Sequence, residues 1–198
     1  MPKFILKILF WGGFIGAMVA APAVAAGTYT IDHVHSNIGF AVRHMMVSEV
    51  KGEFTDYEGT VIYDPEYVAE TKIDVVIRAK SIDTRLQQRD DHLRASEFLK
   101  TDEFPLITFK SRGVNKTDQG VVIVGDLTIR GRTKTISIPA QISGPYANPL
   151  GGGEVIGIVG EAVINRQDFG VSWNKAMDAG GYVVADDVKL IISVEAKR

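Results

Sequence analysis

From Gly27 to the C-terminus the chain repeats one pattern, an alternation of apolar and polar residues with a period of two. That period sends successive side chains to opposite faces of a strand, so each run reads as a strand with one buried face. Within residues 72–80, Ile73, Val75, Ile77 and Ala79 share a face, and near the end Val188, Leu190, Ile192 and Val194 do the same. Ile38, Phe40 and Val42 fall together, as do Ile107 and Phe109. Between 121 and 140 a hairpin is expected, with Val121, Ile123, Leu127 and Ile129 answered by Ile136 and Ile138 and with Gly131 at the tip. Turn signals at Asp64-Pro65, 113–120, Arg130-Gly131 and 148–153 separate the runs.

Eight strands follow, near 28–43, 50–63, 71–80, 106–115, 120–130, 133–144, 154–165 and 186–197. Their number and spacing, with both termini extended, predict an all-β, eight-stranded antiparallel barrel closed without exposed edges. The strand phases put Ile38, Phe40, Val42, Phe54, Ile77, Phe109, Leu127, Ile138 and Ile192 in one shared interior. One helix is expected, about 84–98, capped by Asp83 or Thr84 and lying across or beside the barrel. Shorter helical turns are expected at 44–48 and after Phe169.

The first residues have a different character. Lys3 and Lys7 precede an uncharged run from Ile8 to Ala26 that contains Ala23-Val24-Ala25, the small-x-small pattern of a cleavage site. The reading is a cleavable signal peptide over 1–25, a barrel domain over 26–198 and a periplasmic destination. The run also approaches the length of a membrane anchor, but Pro22 and its neighbouring alanines favour cleavage. There is no cysteine, hence no lipidation site, disulfide or thiol chemistry. The domain retains 20 basic against 24 acidic side chains, a charge of -4. That balance argues against nucleic acid and against electrostatic adhesion to anionic lipid.

Reactive constellations are sparse. His33 and His35, two apart on an expected strand, would point the same way and could share a zinc ion if His44 or His92 supplied a third ligand and Asp32 a supporting partner. The competing reading sends one histidine to solvent and the other to a turn. Ser36 has no nucleophile elbow and faces away from His35 on a strand, and Asp168-Phe169-Gly170 lacks every other kinase element. Gly151-Gly152-Gly153 precedes a strand, where a phosphate-cradling loop would open a helix. Arg89, Asp90, His92 and Arg94 form a polar group on the expected helix, either a solvated face or a mouth whose guanidinium groups meet a head group. The basic tip 130–134 reads as a soluble hairpin turn.

Several blocks taken in order resemble the YceI-like family over essentially the whole domain. They are Asp32 with His35-Ser36-Asn37-Ile38-Gly39-Phe40 and Arg43-His44, then Gly52 to Gly59, Ser81 to Thr84, Arg89 to Leu99, Phe104 to Ser111, Gly125 to Gly131 and Arg166 to Gly170. The resemblance implies a lipocalin-like barrel, periplasmic, holding a polyisoprenoid or similar long chain, with no agreed catalytic constellation. It also implies that a cytochrome membrane domain fused to some members is missing here. The expected function is therefore to bind, sequester or carry a polyisoprenoid, isoprenoid quinone or similar lipid, without catalysis and without a metal or other cofactor. Phe40, Phe109 and Leu127 are expected along the ligand's tail, Val42 and Phe54 among the other ligand-binding residues, and His44, Arg89, His92 and Trp173 near its head. Transient contact with a membrane or a membrane cytochrome, and a homodimer, are compatible partners. The alternatives are a zinc-dependent hydrolase using His33 and His35, and a stress-induced structural protein with a filled barrel.

Overall fold

A computed structural model describes residues 26–178 and 180–198, so the expected signal peptide lies outside the described residues. Eleven strands form one antiparallel sheet: β1 (Gly27–Ile31), β2 (Asn37–His44), β3 (Ser48–Phe54), β4 (Tyr57–Tyr63), β5 (Lys72–Arg78), β6 (Ile82–Asp83), β7 (Leu106–Thr117), β8 (Gly120–Ile129), β9 (Arg132–Ala147), β10 (Glu154–Asn165) and β11 (Val184–Lys197). Three consecutive pairs are halves of longer strands, since β1 with β2 and β3 with β4 occupy single positions in the ring, as do β5 and β6. Eight staves therefore make the barrel, each paired antiparallel with its sequence neighbour. The ring closes where β11 pairs with β2 and, through Thr30 opposite Lys197 and Ile31 opposite Ala196, with β1. Closure leaves no long unpaired edge to template aggregation.

The three interruptions fall at one level of the wall. Asp32 accepts a hydrogen bond from Val34 N (3.1 Å) and turns 33–35 into a 3-10 helix. Beside it, Thr55 N donates to Ser81 O and Arg78 N to Asp56 O, which carries the same break through the next two staves. The Tyr57 hydroxyl donates to Ser36 O at 2.6 Å and ties the crease together.

All nine residues assigned to the interior line one internal cavity. The end of the barrel where β1 begins and β11 ends is packed shut by Tyr29, Tyr63, Val114, Val121, Ile156 and Ala196, with Tyr29 and Ile156 almost fully buried. At the other end two segments cap the rim, residues 84–105 and the described residues of 166–183. The first contains α1 (Gln87–Arg94), which is shorter than expected at both ends. Thr84 does not cap it, because its N–H and hydroxyl both donate to the buried carboxylate of Asp90 (2.9 and 2.5 Å), and Leu86 is the residue that precedes the first turn. Ala95 is extended and ends the helix, after which 96–104 proceed by tight turns. The helical turn expected at 44–48 is a three-residue hairpin loop, 45–47, between paired His44 and Ser48, and the one expected after Phe169 lies before it, at Arg166–Phe169.

Candidate ligand cavity and its capped mouth

The cavity has a volume of about 230 Å³, and Arg166 is the single polar residue among those that line it. Two glycines help create the space. Phe40 faces Gly52 across the β2–β3 ladder, and a Cβ on Gly52 would stand 2.5 Å from the ring; a Cβ on Gly125 would stand 2.4 Å from the ring of Phe109. Both aromatic rings thus lie over gaps in the wall instead of projecting across the lumen. Apolar cavities of this scale remain dry and take apolar guests, because water inside would have no hydrogen-bond partners. Phe40, Val42, Phe54, Phe109 and Leu127 all lie in this lining.

The four residues expected near a head group do not line the cavity; they sit at its capped end. His92 Nε2 donates to the Glu97 carboxylate (2.9 Å), and its ring packs edge-on against Phe98 and Trp173 at centroid distances of 4.8 and 5.2 Å. Phe98 in turn faces the cavity, so His92 and Trp173 back the side chain that closes the lumen. Arg89 directs Nε to Thr84 Oγ1 and Nη2 to Thr84 O, both at 2.7 Å. Arg94 likewise reaches Lys80 O and Ile82 O at 2.8 Å. Arg94 therefore ties the capping segment to the barrel rim, while Arg89 braces the start of that segment from within. His44 ends β2 and pairs in register with Val184.

The cap contains residues that strand periodicity could not find. Phe98 and Leu99 from one segment, and Phe169 and Val171 from the other, roof the lumen. Arg130, at the β8–β9 turn, donates to Gly170 O and, at 2.9 Å, to Ser96 O, so it holds one segment against the other. Arg166 is buried and spends its donors on the carbonyls of Val171, Trp173, Val184 and Ala185 and on Asp186. The only cue in the sequence was that these residues, Val171 excepted, fall in the Arg89–Leu99, Gly125–Gly131 and Arg166–Gly170 blocks that resemble the family.

On the outer wall the histidine pair is dispersed. The 3-10 turn breaks the strand geometry that would have aligned the rings, and His33 Nε2 meets Thr55 O at 2.7 Å while stacking on Tyr57. His35 Nδ1 lies 3.0 Å from Asp32 Oδ2 and 3.7 Å from Glu195 Oε1. Asp32, His35 and Glu195 bring their ligand atoms within 4.8 Å of one another, but the Lys197 ammonium stands 3.1 Å from Asp32 Oδ2, where a cation would need the same oxygen. Ser36 Oγ donates to Glu195 O and accepts from Glu195 N, which commits the hydroxyl to joining β11.

His35 and then Lys197, with the Val34 N–H, hold the Asp32 carboxyl down from its usual 3.8 to about 2. The native carboxyl therefore binds its proton more weakly than the unfolded one, and the stability it supplies is fully present above about 3.8 and disappears as pH falls through about 2. Asp32→Asn should flatten the acid limb of a stability-versus-pH curve over that window, read by denaturant melts. An unchanged acid limb would remove Asp32 from the crease's electrostatics.

The profile of the YceI-like domain matches residues 29–196, nearly the whole described chain. The chain belongs to the YceI-like family. A UPF0312 protein of Staphylococcus aureus (strain N315) is 36% identical over 167 residues, covering 84% of this chain and 95% of that protein. Among solved structures, a YceI protein of Campylobacter jejuni is 35% identical with a TM-score of 0.68, over 84% of this chain and 95% of its own. BcnA of Burkholderia cenocepacia has a TM-score of 0.74 over 84% and 99% at 21% identity. A polyisoprenoid binding domain from Saccharophagus degradans has a TM-score of 0.62 over 85% and 97% at 14% identity. The last two share this YceI-like barrel as a fold.

Proposed function

We propose that this YceI-like barrel takes up one long apolar molecule, a polyisoprenoid or an isoprenoid quinone, and holds it away from water as a periplasmic binder or carrier, without catalysing a reaction. The observation that carries this reading is a cavity whose only polar lining residue, Arg166, has its donors already committed to the protein. At ~0.8 kcal/mol per buried methylene, an apolar wall is enough for tight binding and needs no specific donor. The polyisoprenoid binding domain of Saccharophagus degradans, alike in fold, is consistent with such a guest. A polar head is expected at the capped end near His44, Arg89, His92 and Trp173, because the opposite end is packed shut by Tyr29 and Ile156. An unpaired polar group in the lumen would cost several kcal/mol.

Organic-solvent extraction of protein purified without detergent, followed by mass spectrometry, should yield a long-chain isoprenoid near one per barrel. The same preparation should carry no stoichiometric zinc, and chelation should leave its melting temperature unchanged, since structural zinc contributes folding energy directly. An empty extract from protein that also refuses added polyprenol would overturn the lipid reading in favour of a structural barrel, and one equivalent of tightly held zinc would revive the hydrolase.

A further inference from the structure

The β2–β3 hairpin closes with a turn whose sequence contradicts its shape. Val47 N donates to His44 O (3.1 Å), and the two residues between them, Met45 and Met46, have φ of 50° and 61°. Two consecutive positive φ values define a type I′ turn, for which Asn-Gly is preferred and bulky side chains are disfavoured. Here Met45 and Met46 are 47% and 65% exposed, and Val47 behind them is 84% exposed. The turn therefore bears a backbone penalty and a solvation penalty together, and departures of that kind concentrate at functional sites.

The turn has a neighbour of the same character. Ala176 and Tyr182 pair in an antiparallel bridge, and Met45 N donates to Val183 O at 2.8 Å. A Cβ on Gly181 would stand 2.5 Å from Met46 Sδ and 3.4 Å from Met177 Cε, so the two thioether side chains converge over that glycine. Tyr182 beside them is 62% exposed. Beyond residue 25 the chain has three methionines, and all three lie on this tip. The tip is continuous with the cavity, since Val42 and Val184, which flank the two loops, belong to its lining.

We propose that this methionine tip is a bilayer-docking surface, inserted among the acyl chains of a zwitterionic membrane so that the barrel mouth meets the phase from which its apolar ligand is drawn. The inference rests on the apolar-ligand reading. Its occupant follows from two properties of the patch. The exposed charges around it carry no basic excess, since Arg43 and Lys175 are met by Glu49 and Asp178, with Asp186 and Asp187 just beyond Val184, so nothing selects an anionic surface. Flexible thioethers beside an amphipathic tyrosine suit a disordered acyl boundary with a polar edge. Of the other exposed apolar loop residues, Leu150 and Tyr67 lie at the packed-shut end, Val34 at the crease in the wall and Leu86 just before α1, so none of them is clustered as the tip residues are.

The test is cosedimentation of the purified protein with phosphatidylcholine vesicles free of isoprenoid. The double variant Met45→Asn with Met46→Gly places the preferred residues in the turn, so its melting temperature should not fall. Its vesicle partitioning should nevertheless drop about tenfold or more, the scale of returning one buried methionine side chain to water, whereas Leu150→Asn should partition like the unaltered protein. Anionic lipid or salt should change partitioning by less than about twofold. Equal partitioning of the double variant, no binding by the unaltered protein, binding that requires anionic lipid, or self-association through the tip with no vesicle binding would each overturn the proposal. A fluorescent polyprenol offered from ethanol should load both proteins equally, while loading from vesicles should be slower for the double variant. If both refuse the probe from ethanol, the cavity reading fails by itself and the partition data still decide the tip.

Discussion

Replacing Leu127 with tryptophan is expected to empty the barrel of its lipid. Leu127 is 6% exposed, lies opposite Phe109 in the β7–β8 ladder and faces the lumen between the closed end and the cap. An indole there has one direction to grow, into a cavity of about 230 Å³. Overpacking a filled core costs ~1–3 kcal/mol, and the existing void should hold the penalty to the lower part of that range. Folding should therefore survive while the space for the tail does not. Lipid recovered by solvent extraction should fall to less than about a tenth of normal, a change of the size that blocking an apolar tail produces. Val159→Trp, on the solvent side of β10, should alter neither lipid content nor melting behaviour, because Val159 is exposed. Unchanged lipid recovery from Leu127→Trp would show that the ligand does not use this lumen.

The barrel was legible because strand phase is a discrete variable. A one-residue slip would turn a whole strand inside out, so a sequence that buries one face must mark it, and Ile38, Ile77, Phe109 and Ile192 mark theirs clearly. Even the β-bulge between Ser111 and Gly113, which shifts the phase of β7 and brings Val114 inward, did not disturb the stave count. What alternation could not show were the breaks within staves. Residues 28–43 read as one strand, but the Asp32 carboxylate offers the Val34 N–H a closer partner than the ladder does, and the strand becomes a 3-10 turn. The helix boundary was misplaced for a related reason. Thr84 has a cap's side chain, yet Asp90 draws both of its donors, and Arg85 beside it takes a positive φ of 64°.

The cap was the least legible part, since it is held by arginines reaching distant carbonyls. Arg130 lies 40 residues from Gly170 and 34 from Ser96, and no local period encodes such pairs. From sequence, Arg89 and Arg94 read as either a solvated face or a mouth for a head group; in the structure their donors go to backbone carbonyls, Thr84 and Asp91. Arginine suits this work because its planar fork serves several acceptors at once and keeps its charge when buried.

Arg166 is the strongest case, and Arg166→Met is expected to be the most destabilising single substitution in the cap. Nε donates to Ala185 O (2.9 Å), Nη1 to Val171 O and Trp173 O (2.7 and 2.8 Å), and Nη2 to Val184 O and Asp186 Oδ1 (3.5 and 3.0 Å). Burial pulls the guanidinium's pKa below its usual value and Asp186 acts to raise it, but arginine stays charged at any physiological pH. Methionine would keep the apolar stem while leaving those carbonyls without their donor, at ~1–3 kcal/mol for each that water cannot reach. Asp186 is half-exposed and can rehydrate, so the net cost should be about 3–5 kcal/mol, or on the order of 10 °C in melting temperature for a domain of this size. Asp186→Asn should cost less than about 1 kcal/mol, because the exposed carboxylate contributes little and the carbonyl bonds remain. In hydrogen exchange the loss from Arg166→Met should begin at residues 171–184, with the β7–β8 hairpin still protected. A melting temperature within a few degrees of normal, or exchange that rises first in the barrel wall, would show that the roof is held by its apolar contacts and not by this guanidinium.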